Sequence, residues 1–440
     1  MSDSFRVRVE WLEAPDVSTP ELASTWARYE IWVDRSCVTQ VETGDATFRR
    51  SVYGSVYPLA EWIASNWWLL TTSVRPSAIE ARYWSWPNVR THHWLRHHNM
   101  RGAGDGMAWP NLTLVPEGPV TCIHWFADDD EVVGPVRFRS AGGAFVSSED
   151  VATGLAKLVE HVLERLAEEG LPKTRLAEDW AALGQLDDDE EAFCATAARL
   201  GLDPFSISDG LATEIVDVAN GLPDELLADF FDNADATSLA KAAAWLRRAS
   251  RVATRASIKA KSDLKALYPA VSREMEIAKN AVGRAWEVGY TMARHVRQQL
   301  GVQETIPFDV SPWLGLGEVS VDSGGIRGIG IIDNDRCGLV IGSSGLSKQS
   351  RRFAQARALG RALVRPEQRS FLLSSARSHD ERVARAFAAE LLAPAAGIRE
   401  FLDQLGKQDD VALEAVADRF GVSPLLVRRQ YDNQLARTSS

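Results

Sequence analysis

Cysteine is scarce in this chain. The four present, Cys37, Cys122, Cys194 and Cys337, lie far apart and form no CxxC pair. That spacing gives neither a cysteine zinc site nor a disulfide framework, and it fits reduced thiols. Apolar runs are short as well, and none approaches the roughly 18 residues needed to span a bilayer. The start, MSDSFRVRVEW, is polar and has no signal-peptide core. The expectation is a cytoplasmic protein with no membrane segment. Two signatures of catalysis are missing too. There is no GxSxG nucleophile elbow. The glycine-rich stretches 102–106 and 324–330 lack the lysine of a phosphate loop. The second, GGIRGIG, reads as a turn connection, so no nucleotide cofactor is expected.

What is present is ordinary globular material in quantity. The 440 residues allow two or three domains, and 45% hydrophobic with 25% charged residues supports a buried core. A formal net charge of -11 argues against a nucleic-acid binder as a whole. The charge is uneven, however. Residues 347–385 hold ten Lys/Arg against three Asp/Glu.

The pattern along the chain predicts an α+β protein in three parts. Residues 1–170 read as a mixed α/β domain. Strands are expected at 5–11, within 29–41, and at 112–115 and 120–126. Helices are expected at 59–70, with Pro58 near the first turn, and at 148–169. Eleven of the fifteen tryptophans fall between Trp11 and Trp125; such density builds either a core or a ligand platform. Residues 185–265 read as a helical middle domain that ends in a basic linker or exposed helical face, 251–265. The acidic run 187–191 suits a helix start. From 270 to 440 the pattern gives one or two helices over 274–300 and short strands at 315–321, 325–332 and 338–341. Helices fill the remainder, 347–434.

Three segments in that last part stand in a telling order: RRFAQARALGRAL (351–363), ERVARAFAAELLAP (381–394) and VALEAVADRFGVSPLLVRRQ (411–430). Together they resemble the ImmA/IrrE zinc metallopeptidases, which carry an HELGH helix, a FAAELLMP-like helix and an FGVS-type turn. The resemblance covers roughly residues 270–440. It implies a zincin-like helical domain with a small sheet, and zinc as the cofactor. It also implies a helix-turn-helix regulator as the protein partner.

The departure falls on the chemistry. An HExxH helix presents two imidazoles from one face and a glutamate as general base for metal-bound water. Arg357, Ala358 and Arg361 occupy those positions here. A guanidinium has no lone pair for a metal, and a methyl group accepts no proton. Glu381 is the nearest match to the remaining ligand. The expectation is therefore a chain without catalytic residues or resident zinc, more a regulatory or protein-binding module than an enzyme. By analogy the setting is stress response or defence against mobile DNA.

Several readings stay open on the sequence. Arg357 or Arg361 could reach Glu381, a fixed charge standing where a metal would sit. Equally, the Arg357-Arg361-Arg365 ladder fits a solvated helix face, and 378–381 (SHDE) fits a capping box. His93 and His97 have the spacing of a zinc pair in the THHWLRHH segment, 91–98. They are the metal candidates if the chain is a metalloendopeptidase with a non-standard site. Residues 411–430 read either as a packed terminal hairpin or as a helix-turn-helix unit, with Arg428 and Arg429 on DNA phosphates.

Overall fold

The computed structural model describes residues 4–14, 16–73, 92–129, 136–279, 284–319, 323, 326–342, 346–374 and 378–435. The protein is α+β, with sheets in its N-terminal part and a small sheet among helices in its C-terminal part. It divides into two compact units, Met1–Asp209 and Gly210–Ser440. Residues 185–265 fall on both sides of that division.

In the first unit, β1 (Phe5–Trp11) pairs antiparallel along its whole length with β2 (Trp26–Val33). β3 (Ser36–Cys37) pairs with β2. β4 (Val41–Thr43) pairs with β5 (Phe48–Arg49), and β6 (Val52–Ser55) joins β3 on the edge of β2 opposite β1. A second sheet joins β7 (Asn111–Pro116) and β8 (Val120–Phe126). β9 (Val136–Phe138) lies on β4, and β10 (Gly142–Ser147) on β8. The β-rich stretch 29–41 is thus not one strand: Asp34, at φ 51, turns the chain between β2 and β3. The helix expected at 59–70 is two, Tyr57–Ser65 and Trp67–Thr72, meeting at Asn66. The long helix Ser148–Glu168 buries Val151, Leu155, Leu158, Val159, Val162 and Leu166 at helical spacing. Gly154 brings it against β1, where a side chain would meet the Phe5 ring and carbonyl. Trp62, Trp94, Trp109 and Trp125 are core residues, while Trp84 and Trp86 lie outside the described residues.

The second unit is built on a four-stranded sheet in the order β11-β13-β12-β14. β11 (Leu314–Gly317) runs parallel to β13 (Arg336–Ile341). β12 (Gly328–Asp333) is antiparallel to β13 and to β14 (Ser370–Leu373). Asn334 and Asp335 both have positive φ, as a tight two-residue hairpin turn demands. Val321, Gly324 and Gly325, which the sequence reading placed in or beside strands, lie outside the described residues. β14 corrects the expectation of helix throughout 347–434. Its SFLL run is fully buried, and periodicity cannot separate so short an apolar run from helix.

The basic stretch 251–265 is no linker at its start. Residues 251–257 end the Leu239–Ser257 helix, which buries Ala253, Ala256 and Ser257 while Arg251 and Arg255 face outward. That helix crosses the sheet at Gly315 and Gly338, where an added Cβ would strike the carbonyl oxygens of Ala256 and Ala253. On the other side, Ala285–Gln299, Lys348–Val364 and His379–Leu392 form the helical core. Gly289 and Gly360 permit their close approach, against the Val383 carbonyl and the Phe387 ring. Among the described residues no helix is long and apolar enough to cross a membrane.

Candidate functional site

The Lys348–Val364 helix starts at Ser347, whose hydroxyl accepts from the Ser350 amide at 3.1 Å. From Ala356 onward every residue is buried. Arg357 and Arg361 are only 5% and 3% exposed, which corrects the reading of a solvated ladder. A buried guanidinium needs partners, and both have them.

Arg357 Nη2 donates to Glu381 Oε2 at 2.5 Å and to the Ser374 carbonyl at 2.8 Å. Glu381 is fully buried on the first turn of the His379–Leu392 helix. Its Oε1 accepts from the Ser374 amide at 2.8 Å, so the capping box expected at 378–381 does not form. The carboxylate instead clamps the chain leaving β14. Burial alone would raise its pKa. The Arg357, Arg385 and Arg361 charges outweigh burial and hold it below the usual carboxylate range.

Arg361 turns away from Glu381. Its Nη2 meets Asp229 Oδ2 at 2.7 Å and its Nη1 meets Asp380 Oδ2 at 3.1 Å. Asp229 comes from the Asp224–Phe231 helix. Arg365 Nε also donates to Asp380, at 3.0 Å. Burial raises the Asp229 carboxyl, and the Arg361 pull only partly offsets it. For Asp380 burial is outweighed by His379, Arg361 and Arg365, which lower its pKa. Ala358, at the place of a general base, is in the hydrophobic core.

Arg357 lines a cleft, and Ala358 and Arg361 are not among that cleft's described lining residues. The cleft's volume is about 1310 Å³, and helices Ala285–Gln299, Lys348–Val364, His379–Leu392 and Pro424–Gln430 supply much of its wall. The 411–430 tail forms the Asp410–Phe420 and Pro424–Gln430 helices about Gly421, which is left-handed at φ 63. Ser423 Oγ caps the second helix by accepting from the Leu426 amide. Val427 and Gln430 are buried, and Gln430 Nε2 donates to Glu390 Oε2 at 2.9 Å. Arg428 pairs with Asp410. Glu390, inside the FAAELL segment, also accepts from Arg294 Nε at 2.8 Å and Gln434 Nε2 at 2.8 Å. The tail is therefore a packed pair of helices tied to Glu390.

In the first unit His93 and His97 do share one face of the His93–His98 helix, with ring centroids 4.5 Å apart. His97 Nδ1 is bonded to Asn66 Oδ1. Among the described residues no group of three His, Cys, Asp or Glu side chains is placed to hold a metal ion. Among the described residues, then, no carboxylate joins His93 and His97 as a third ligand. Thr91 lies outside the described residues.

Asp229 and Asp380 were not singled out from the sequence. Asp229 stands 132 residues before its partner, and no local spacing could mark it. A comparison with protein-family models gives no match, and none of the curated proteins compared matches the chain.

Proposed function

We propose that this chain is a non-hydrolytic relative of the ImmA/IrrE peptidases whose C-terminal unit acts by recognising a protein partner. The reading rests on motif order together with one observation, the buried Arg357–Glu381 ion pair. Where the resemblance expects a ligand imidazole and a ligand carboxylate around a cation, a guanidinium and a carboxylate satisfy one another. The charge of an ion such as Zn²⁺ would meet Arg357 at short range, and repulsion there is strong in a buried setting. The second expected imidazole position, Arg361, is committed to two aspartates. No base stands at Ala358. What remains usable is the cleft that Arg357 lines. Recognition without cleavage of a protein, a helix-turn-helix regulator by the resemblance, suits such a surface. A regulatory role in stress response or defence against mobile DNA follows from the same likeness.

The test uses the purified full chain, equilibrated with zinc and then freed of loose metal. Bound metal is counted by mass spectrometry, and cleavage of an unfolded protein is followed on gels with and without chelator. Substoichiometric zinc and no fragments are expected. Chelator-sensitive cleavage would overturn the proposal.

A further inference from the structure

The cleft beside Arg357 has an unusual lining. Arg327, Arg357, Arg382, Arg385 and Arg429 all face it, and no Asp or Glu is among its described lining residues. This occurs in a chain whose formal net charge is -11. The acid excess belongs to residues 1–209; residues 210–440 hold 31 Lys/Arg and 28 Asp/Glu. Arg327 and Arg429 are exposed and make no ion pair among the described residues. Arg357 Nε is buried without a hydrogen-bond partner, although its Nη2 is engaged.

The rest of the wall mixes six Ser, Gln and Asn residues with a larger apolar share. Trp286, Tyr290 and Phe353 contribute aromatic faces, and Ile326, Leu373 and Leu426 aliphatic ones. Arg382 lies over the Trp286 ring at 5.3 Å, a cation–π contact that holds the indole as a platform. Leu425, which also lines the cleft, is 60% exposed.

We propose that this cleft receives an acidic segment of a partner protein in which carboxylates alternate with large apolar side chains. The inference rests on the protein-recognition reading above and names the chemistry of the partner. Arginine forks suit carboxylates bidentately. The aliphatic walls give apolar side chains somewhere to go, which a small inorganic anion would leave empty. The volume exceeds the roughly 300–1,000 Å³ of an ordinary small-molecule pocket. A nucleic acid would leave Ile326, Leu373 and Leu425 unmatched.

The experiment measures fluorescence anisotropy of a labelled peptide that alternates Glu or Asp with Leu or Phe, titrated with the full chain. Three comparisons accompany it: a peptide with Lys for each acid, one with Ser for each Leu and Phe, and a single-stranded oligonucleotide. The protein variant is Arg327→Glu/Arg429→Glu, two exposed positions, with an unchanged thermal midpoint expected and checked first. Binding of the acidic-apolar peptide is expected, weakened at least tenfold by the double substitution, by removal of the acids and by removal of the apolar groups. No binding, equal binding to the variant, or displacement by the oligonucleotide at lower concentration would overturn the proposal. A zinc-free, non-cleaving chain that ignores the peptide loses this inference alone. A zinc-bearing, cleaving chain loses the functional reading beneath it.

Discussion

Arg361 holds Asp229 at 2.7 Å and, through its other terminal nitrogen, Asp380 at 3.1 Å. One guanidinium thereby ties the Asp224–Phe231 helix to the helix that carries the second core motif. It also lies 5.9 Å from the Phe371 ring centroid on β14. Burial opposes its charged form, yet Asp229, Asp380 and Glu381 more than offset this and raise its pKa. The charge stays, and so does the cost of leaving any partner alone.

Removing that charge by Arg361→Met should destabilise the protein by about 3–5 kcal/mol, the usual result of orphaning a buried ion. Asp380 retains Arg365, so the loss centres on Asp229. Arg361→Met combined with Asp229→Leu should recover most of it, since apolar replacement of a whole buried pair is often close to neutral. Urea unfolding of the wild type, the single and the double variant measures both. A double variant no better than the single one would show that the pair does not act as a unit.

The helical part of this architecture was largely legible because burial leaves a 3.6-residue imprint. The 148–169 expectation met Ser148–Glu168, and the alternation FRVRVEW met β1 residue for residue. The Arg357–Glu381 pairing was foreseeable because a buried arginine next to an apolar stripe needs a carboxylate. The two-aspartate environment of Arg361 was not, because sequence pattern reports local periodicity and Asp229 is distant. β14 and the break at Asn66 were missed for a related reason. Both depend on what packs around a short apolar run rather than on the run itself.

Acid should weaken the first unit before the second. Burial lowers His98 to about 4, and His97, pressed by burial and by His93 and Arg96, also to about 4. Both pKa values lie below the unfolded value near 6.5. A base depressed in the folded state gives stability that is complete above pH ~6.5 and lost as pH falls toward ~4. For the buried His98 the loss is about 3 kcal/mol across that window. His98→Asn should flatten it, as read by urea midpoints against pH. An unchanged slope would count against the neutral buried imidazole.

The carboxylates act in a lower window. Glu381 and Asp380 are held below the usual range, so their stabilisation is present above about pH 4 and lost below it. Asp229 is raised and works in the opposite sense, its contribution fading as pH climbs through its folded pKa. Through Glu381 and Asp380 the protein loses stability below about pH 4. Glu381→Gln should shrink that acid limb, provided its folding at pH 7 survives the loss of the Arg357 pair. Circular dichroism at fixed urea between pH 5 and pH 2, wild type against variant, reads the difference.

Close contact between helix and sheet makes a third demand. Gly338→Ala places a methyl group against the Ala253 carbonyl and the Ser257 amide, both backbone and so unable to yield cheaply. Overpacking of this kind costs about 1–3 kcal/mol. Gly44, where an added Cβ meets nothing, is the control. A lowered thermal midpoint for Gly338→Ala with little change for Gly44→Ala is expected. Equal midpoints would mean that the Leu239–Ser257 helix can ride further from β13.

Restoring the metallopeptidase signature is the severest test of what this helix has become. The triple substitution Arg357→His/Ala358→Glu/Arg361→His rewrites RALGR as HELGH. The first position lines the cleft; the second places a carboxylate in the hydrophobic core, and the third strips Asp229 of its cation. A buried unpaired carboxylate and an orphaned aspartate each cost several kcal/mol. Zinc could offset this only with its ligands arranged about one open position, and the second histidine would face two aspartates away from the cleft. The triple variant should therefore bind no stoichiometric zinc and unfold at lower urea than Arg361→Met. Metal counting and urea unfolding of the same sample decide the matter. Tight zinc with a raised midpoint would show that the helix still presents its metal-binding face, and that three residues alone separate this chain from a working site.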